Sequence, residues 1–356
     1  MSKGERKRDL SRSLDSHIRS IEETFQILDA AAPPTLEKVD WSQVAKLGDE
    51  VSKQATIAGM LWGGEAPDAK ALTENMSVYF NVLQGFLLIC HGSTVGAGPT
   101  LHKCINTSAR RVVDCSLSFF REAVSSYESQ NSGKRLSVPQ LTGAVWEACG
   151  ALKKVPTTNC TAIGRAMTQV AVCLKDIQRE MQELASVDSS ADSADGSSNE
   201  AVETASGSDQ ELGDELSSEE ITIVRLVVCA VSDVLTVVKE VIRFVTGLLK
   251  CSSQNGSKTE DGVDSLERLL INCQKMADEV NDLGCCVYPP QDISQMKSII
   301  KNMYGRVQEM RGEVGMLGGS PDGVFSAVVG FENSLKELES RLCGDQLVNE
   351  MALLSV

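Results

Sequence analysis

The fold is decided most clearly by the stretch IGRAMTQVAVCLKDIQREMQEL at residues 163–184. Its apolar side chains recur every three or four residues, the spacing that keeps them on one face of an α-helix. The stripe consists of Ile163, Met167, Val170, Leu174, Ile177, Met181 and Leu184. Residues 263–280 and 296–314 repeat this spacing, and alternating strand-like runs are scarce. The pattern predicts an all-α protein in which these stripes face the core.

About ten helices are predicted, and a segment rich in Ser, Asp, Glu, Ala and Gly at residues 186–218 interrupts them. This segment has too few large apolar side chains to offset the entropy of ordering. We therefore predict a disordered acidic linker that joins two helical bundles of about six and four helices. The predicted bounds are a basic N-terminal tail at 1–11, an N-terminal bundle at 12–185, the linker at 186–218, a C-terminal bundle at 219–345 and a C-terminal tail at 346–356. Packing of the second half against the first remains an alternative.

The composition indicates how the core is built and which partners are unsuitable. Hydrophobic residues make up 42% of the chain and aromatic residues only 4%, so we expect an aliphatic core rich in Leu, Val, Ile, Met, Ala and Cys. The net charge is −15, but residues 180–224 hold thirteen acidic residues and no Lys or Arg. The rest is nearly neutral and has no basic stripe, which argues against direct nucleic-acid binding.

The sequence offers little that would support catalysis or a cofactor. Twelve cysteines occur without a CxxC pair, and most lie at apolar helical positions, as expected for reduced core residues. The three histidines, His17, His91 and His102, lie in no recognisable catalytic or metal-ligating context. Phosphate-binding loops, nucleophile elbows and zinc-protease motifs are absent from the sequence. We expect a protein that is not an enzyme and needs no cofactor or metal.

The most apolar stretch, residues 221–249, raises the question of a membrane span. Charged residues interrupt it at Arg225, Asp233, Lys239, Glu240 and Arg243. Because no window of eighteen residues is free of charge, we predict a core helix and no membrane association. The polar, basic start of the chain does not resemble a secretory signal, which favours the reducing cytoplasm or nucleus.

Several short peptides are candidates for recognition by other proteins. A basic cluster compatible with nuclear import consists of Lys3, Arg6, Lys7 and Arg8. Two Arg-x-Leu peptides of the kind that dock on cyclins begin at Arg8 and Arg12. Within the acidic linker, five serines have an acidic residue three positions later, the pattern favoured by acidophilic kinases: Ser189, Ser197, Ser206, Ser208 and Ser217. Their phosphorylation would deepen the negative charge of the linker.

A set of sequence blocks resembles the cyclin-D-binding protein 1 family, the cyclin-D-interacting or GCIP-like proteins. The blocks, in order, are VSKQAT at 51–56, GPTL at 98–101 leading to VVD at 112–114, VWEAC at 145–149, the acidic linker and VYPP at 287–290. The N-terminal basic cluster and the details of the linker differ from the animal members, which is compatible with a plant member. The resemblance implies a helical protein of cytoplasm and nucleus that binds a D-type cyclin, restrains its kinase and slows cell-cycle entry.

Two functions from different classes therefore remain open. The first is a non-enzymatic regulator whose partner is a D-type cyclin or another regulatory protein. The second is a helical-bundle scaffold of the vinculin or talin type with a cytoskeletal or signalling partner, since a low aromatic content suits such bundles. Either function would use an amphipathic helix face or a groove between helices. Trp41, Trp62 and Trp146 are candidates for such a surface or for the core, and the sequence leaves the oligomeric state undetermined.

Overall fold

The computed structural model describes residues 3–63, 68–127, 137–186, 216–252 and 260–354. Within these ranges the chain forms ten α-helices, two short 3-10 helices and no strand, which confirms the all-α prediction. Six helices precede the acidic linker: α1 (Lys3–Gln26), α2 (Trp41–Trp62), α3 (Ala69–Ser93), α4 (Pro99–Ser126), α5 (Ser137–Ala151) and α6 (Asn159–Ser186). Four follow it: α7 (Ser218–Ser252), α8 (Glu260–Cys286), α9 (Ile293–Met316) and α10 (Asp322–Leu354). Within the described ranges the predicted numbers of helices, about six before the linker and four after it, are confirmed. The predicted disorder of the linker concerns residues 187–215, which lie outside the described part.

Several helix starts are explained by local hydrogen bonds. The Asp40 carboxylate accepts a hydrogen bond from the Ser42 amide at 2.8 Å, and the Asp292 carboxylate accepts one from the Gln295 amide at 2.9 Å. Each bond satisfies an amide that has no partner within its own helix. Pro99 lies in the first turn of α4, where a missing amide hydrogen costs nothing.

By their contacts the residues divide into two compact units, Met1–Ala162 and Ile163–Val356. We call these unit 1 and unit 2. In unit 1, α1 packs on α3 and α4, α2 packs on α3 and α5, and α4 packs on α5. Since each helix has a neighbour on both sides, the five helices close into a ring around one core.

An aromatic cluster occupies the centre of unit 1. The Phe120 ring lies 4.7 Å from Tyr79, 4.8 Å from Phe119, 5.1 Å from Phe80 and 6.0 Å from Trp62, measured between ring centroids. The Tyr79 hydroxyl forms a hydrogen bond of 2.8 Å with Ser116, so its buried polar atom is satisfied. The rest of this core is mainly aliphatic, as expected, but many of the few aromatic residues of the chain are gathered at one place within it.

Unit 2 follows the aliphatic expectation. Buried residues of α7 and α10 recur at alternating spacings of three and four, the pattern by which two long helices pack along a seam. On α7 they are Val224, Val227, Val231, Val234, Val238, Val241 and Val245, and on α10 they are Val324, Val328, Phe331, Leu335, Leu338 and Leu342. Asp233 accepts a hydrogen bond from Ser334, and Glu240 lies beside Gly323, so the two helices run antiparallel.

Arginine–glutamate pairs link the remaining helices of unit 2. Arg268 and Glu313 are 2.7 Å apart between α8 and α9, and Arg306 lies 3.3 Å from Glu279 between the same helices. Between α9 and α10, Arg311 lies 3.3 Å from Glu332. The three glutamate side chains are largely buried, at 12 to 17% exposure, so these contacts lie inside the helix interfaces.

Helix α7 contains the one stretch of the described chain, Ser218–Leu248, that is long and apolar enough to cross a membrane. A core helix satisfies the same criterion, and half of its most apolar window is buried within the protein. The valines of this helix pack on α10, and Asp233 has its partner there. These contacts agree with a core helix, and the absence of membrane association stays a prediction.

The ends of the chain differ from the predicted bounds. Residues 3–11, assigned to a basic tail, form the first turns of α1, because Leu10 is buried and continues the stripe of Leu14, Ile21 and Phe25. At the other end α10 continues through 346–354, where no Gly or Pro ends it.

The division between the units falls inside α6 and not in the acidic linker. Glu180, near the end of α6, accepts a hydrogen bond of 3.0 Å from the Tyr288 hydroxyl. A Cβ atom on Gly284 would lie 2.5 Å from the Met181 side chain, so α6 and the end of α8 are in close contact. Most of α6 therefore belongs with the helices after the linker, and the bounds 12–185 and 219–345 stay a prediction.

Candidate partner-binding surface

Two of the sequence blocks meet where α2 and α5 pack antiparallel in unit 1. Along this contact Gly48 faces Leu152, Thr56 faces Trp146 and Gly59 faces Thr142. A Cβ atom on Gly59 would lie 2.7 Å from the Thr142 hydroxyl oxygen, so only a glycine permits the observed approach of the two helices. The VSKQAT and VWEAC blocks thus form one side of the ring.

Trp146 is held at the surface of this side. Its side chain is 47% exposed, and its indole nitrogen donates a hydrogen bond of 3.1 Å to the Thr56 hydroxyl. The bond ties the ring to α2 while about half of the residue stays exposed to solvent. A large aromatic side chain that is ordered before binding loses little conformational entropy when a partner covers it.

The surroundings of Trp146 are open and apolar. Gly143 and Gly150 lie one turn before and after it, and space is open beside both, with no atom within 4 Å of an added Cβ. On α2, Met60 is 74% exposed one turn beyond Thr56, and Ile57 is also exposed. We call this region the Trp146 surface. It comprises Thr56, Ile57, Met60, Gly143, Trp146 and Gly150.

Ion pairs between helices lie on both sides of the VWEAC block. Arg111 on α4 lies 2.6 Å from Glu147, and Lys153 lies 2.9 Å from Asp49 on α2. All four side chains are about half exposed or more, so each pair contributes little to stability. An apolar centre with a polar rim is the usual anatomy of a protein–protein interface.

The other two tryptophans serve the fold. Trp62 is buried in the aromatic cluster, and Trp41 donates a hydrogen bond of 2.9 Å to the Leu152 carbonyl. All three tryptophans were predicted as candidates for either a surface or the core. The signal that distinguishes Trp146 is the pair of flanking glycines at positions −3 and +4, which leave its side of α5 uncovered.

Two buried cysteines, Cys149 and Cys273, are unsuited to nucleophilic chemistry. Burial raises the pKa of the Cys149 thiol and that of the Cys273 thiol to about 12. Both thiols are therefore protonated at neutral pH and act as small core residues. In the described part of the chain, no group of three potential metal ligands comes together.

The histidines occupy structural positions. His17 stacks on Phe80 with ring centroids 5.0 Å apart, and burial lowers the pKa of its imidazole. Burial, with a smaller effect of the His102 charge, also lowers the pKa of His91. These two histidines lie close enough to interact, a neighbourhood that the sequence alone did not predict.

The basic N-terminal cluster lies on the first turns of α1. Arg6 and Arg8 are exposed, and the Lys7 ammonium donates a hydrogen bond of 2.7 Å to the Ser125 carbonyl. Nuclear import through Lys3, Arg6, Lys7 and Arg8 stays a prediction. The interpretation of the two Arg-x-Leu peptides as cyclin-docking motifs does not fit the structure. Their leucines, Leu10 and Leu14, are buried in unit 1, so a docking partner could not reach them.

The predicted phosphorylation sites fall mostly outside the described residues. Ser189, Ser197, Ser206 and Ser208 belong to the part between α6 and α7 that the structure does not describe. Ser217 is described, and it caps α7 through two reciprocal hydrogen bonds with Glu220.

The helical fold carries an exposed, ordered aromatic side chain, Trp146, and the surface around it is a candidate for binding another protein. The chain belongs to the Grap2 and cyclin-D-interacting family, whose N-terminal domain matches residues 43–186 and whose C-terminal domain matches residues 192–312. The resemblance found in the sequence blocks is thereby confirmed. No curated protein matches the chain. The N-terminal match includes all of the Trp146 surface.

Proposed function

We propose that this chain is a non-enzymatic regulator that binds a D-type cyclin and lowers the activity of the associated kinase, with negative control of cell-cycle progression as the result. The family match supports a cyclin-D-interacting protein. The observation that carries the choice of surface is the exposed, hydrogen-bonded Trp146 within the matched residues.

The shape of the Trp146 surface suits a helix of the partner. Gly143 and Gly150 are seven residues apart, which corresponds to roughly 10 Å along α5. Two apolar side chains spaced seven residues apart on a partner helix would enter the open spaces above these glycines. Trp146 would then contact the side chains between them, as in other complexes where a helix lies in a groove.

Binding at this surface would act by steric and allosteric effects on the cyclin–kinase pair and needs no chemistry from the chain itself. We place the protein in cytoplasm and nucleus, where its partner acts, and assign import to the basic residues at the start of α1. The Trp146 surface lies on unit 1, so unit 1 carries the primary contact in this proposal.

The test is calorimetric titration of the purified full chain with a D-type cyclin, alone and in its kinase complex, at physiological salt. Trp146→Ala removes the anchor, and because hot-spot residues contribute about 2 kcal/mol or more, we expect binding at least about 30-fold weaker. Leu88→Ala is the matched control, since Leu88 is 53% exposed on α3 of the same unit. It should bind as the wild type does.

Retinoblastoma phosphorylation by the kinase complex, measured in the same titration, tests the regulatory half of the proposal. Inhibition that Trp146→Ala weakens and Leu88→Ala preserves would support it. If the folded wild-type chain binds neither form of the cyclin, the proposal fails. Co-sedimentation with actin would then favour the scaffold function.

A further inference from the structure

Ser217 begins α7 with a reciprocal pair of hydrogen bonds. Its hydroxyl accepts a bond of 3.2 Å from the Glu220 amide, and its own amide donates one of 2.8 Å to the Glu220 carboxylate. This arrangement satisfies two amides at the start of the helix. The Gln291 side chain donates a hydrogen bond of 3.1 Å to the Glu220 carbonyl, which braces the same turn from outside α7.

Ser217 is also an exposed serine followed closely by acidic residues. Its side chain is exposed, and Glu219 and Glu220 follow two and three positions later. An acidic residue at the third position is the feature that acidophilic kinases select. Glu220 is thus both the acidic residue that an acidophilic kinase would recognise and the residue that completes the cap.

Among the pairs in which the structure describes both the serine and the acidic residue, two others share the spacing but not the position. Ser20 precedes Glu23 within α1, and Ser334 precedes Glu337 within α10. Ser334 donates its hydroxyl hydrogen to Asp233 across a helix interface. Because a kinase binds its substrate in an extended conformation, these serines require unwinding of a helix from within, whereas Ser217 requires only that a first turn open.

We propose that Ser217 is a phosphorylation site for an acidophilic serine kinase, and that the phosphate replaces the hydroxyl as the cap of α7. In the step, the Ser217 hydroxyl oxygen attacks the γ-phosphorus of magnesium-bound ATP. The bond from that phosphorus to the bridging oxygen of ADP breaks, ADP leaves, and the hydroxyl proton passes to the base of the kinase. This inference does not depend on cyclin binding.

The phosphate has opposite effects on the two capping bonds. Its oxygens continue to accept the hydrogen bond of the Glu220 amide, which the positive end of the helix dipole favours. Its charge repels the Glu220 carboxylate, so the Ser217 amide loses its acceptor. The helix keeps its start, and the Glu220 side chain moves into solvent.

The experiment treats the full chain with a purified kinase of the casein kinase 2 type and magnesium ATP, followed by phosphopeptide mass spectrometry. We expect Ser217 to be modified to at least ten times the extent of Ser20 or Ser334. Amide exchange measured by NMR on the phosphorylated chain should show lower protection of the Ser217 amide and retained protection of the Glu220 amide.

Glu220→Gln is the sharpest variant, because glutamine occupies the same position in capping boxes and removes only the charge. It should fold with the cap intact and lose most phosphorylation at Ser217. Ser218→Ala serves as the control and should be phosphorylated at Ser217 normally. Equal modification of Ser20 and Ser334, no modification of Ser217, or loss of protection at both amides would overturn the proposal.

Discussion

Unit 1 and unit 2 are both helical, but they are stabilised in different ways. Unit 1 is a ring of five helices around the aromatic rings of Tyr79, Phe80, Phe119 and Phe120. Unit 2 has the long valine and leucine seam between α7 and α10, and its other interfaces contain largely buried glutamates paired with arginines. A composition averaged over the chain conceals this difference, since 4% aromatic residues suffice for one core if they are gathered there.

The charged contacts differ in the same sense. The pairs between helices of unit 1, such as Arg111 with Glu147, are exposed on both sides. In unit 2 the glutamate of each pair is mostly removed from water. The units should therefore respond differently to cavities, to added methyl groups and to pH.

The largest effect is expected from Phe120→Ala. Because Phe120 contacts four other rings, its loss should cost about 3–5 kcal/mol of unfolding free energy. All three tryptophans lie in unit 1, so urea unfolding followed by tryptophan fluorescence reports on unit 1 alone. Phe331→Ala, the matched cavity in unit 2, should shift the far-UV circular dichroism transition and leave the fluorescence midpoint in place. Equal shifts in both signals for both variants would show that the units unfold together.

An intermediate effect, of opposite sign in the two units, is expected for glycine-to-alanine changes. Gly59→Ala places a methyl group 2.7 Å from a Thr142 oxygen and should destabilise unit 1 by about 1–2 kcal/mol after the gain in helix propensity. Gly305→Ala on α9 meets open space and should stabilise unit 2 by about 0.5–1 kcal/mol. Thermal unfolding of both variants measures the two signs. A stabilising Gly59→Ala would mean that α2 and α5 separate without cost.

The smallest effect concerns Glu279 of unit 2. Burial raises the pKa of this carboxyl above its ordinary value of 4.5, although the hydrogen bond from Arg306 opposes the shift. The folded state therefore holds the proton more tightly than the unfolded state, and the stabilisation present below pH 4.5 is lost as pH rises through the folded pKa. Glu279→Gln lacks this loss, so its stability relative to the wild type should increase from pH 4.5 to 7. Urea unfolding at both pH values, with Glu147→Gln as the exposed control, provides the measurement; a difference that is constant with pH would contradict the assignment.

Much of the helical fold follows from the sequence, because the spacing of apolar residues along the chain is enough to identify helices and their buried faces. Five residues of the predicted stripe are buried, and two, Ile177 and Leu184, are only partly buried. Asp40 caps α2 where a start was expected. The spacing of apolar residues within one helix is a local property, so a helix and its buried face can be predicted without knowing which helices pack beside it. The ends of the helical chain were less predictable. Leu10 is buried in unit 1, where α1 packs on α3 and α4, and these contacts form only when the chain folds.

The candidate surface could not be located from the sequence, because exposure depends on what packs nearby. Trp62 and Trp146 both occur in apolar helical stretches, yet one enters the aromatic cluster and the other faces solvent. The interpretation of the Arg-x-Leu peptides as docking motifs was wrong for the same reason, since a three-residue motif does not show whether its leucine is buried. Ser217 was found by spacing, and its role as a cap required the geometry of Glu220.

The antiparallel contact of α7 with α10 also has a consequence during synthesis of the chain on the ribosome. About 70 residues separate the end of α7 at Ser252 from the start of α10 at Asp322. At usual translation rates these residues take roughly 4–14 s to be made, so the valine stripe of α7 is without its partner helix for that time. In unit 1, α2 is followed almost at once by α3, which covers it. The nascent C-terminal half is therefore the part of the chain with the greater need for a chaperone.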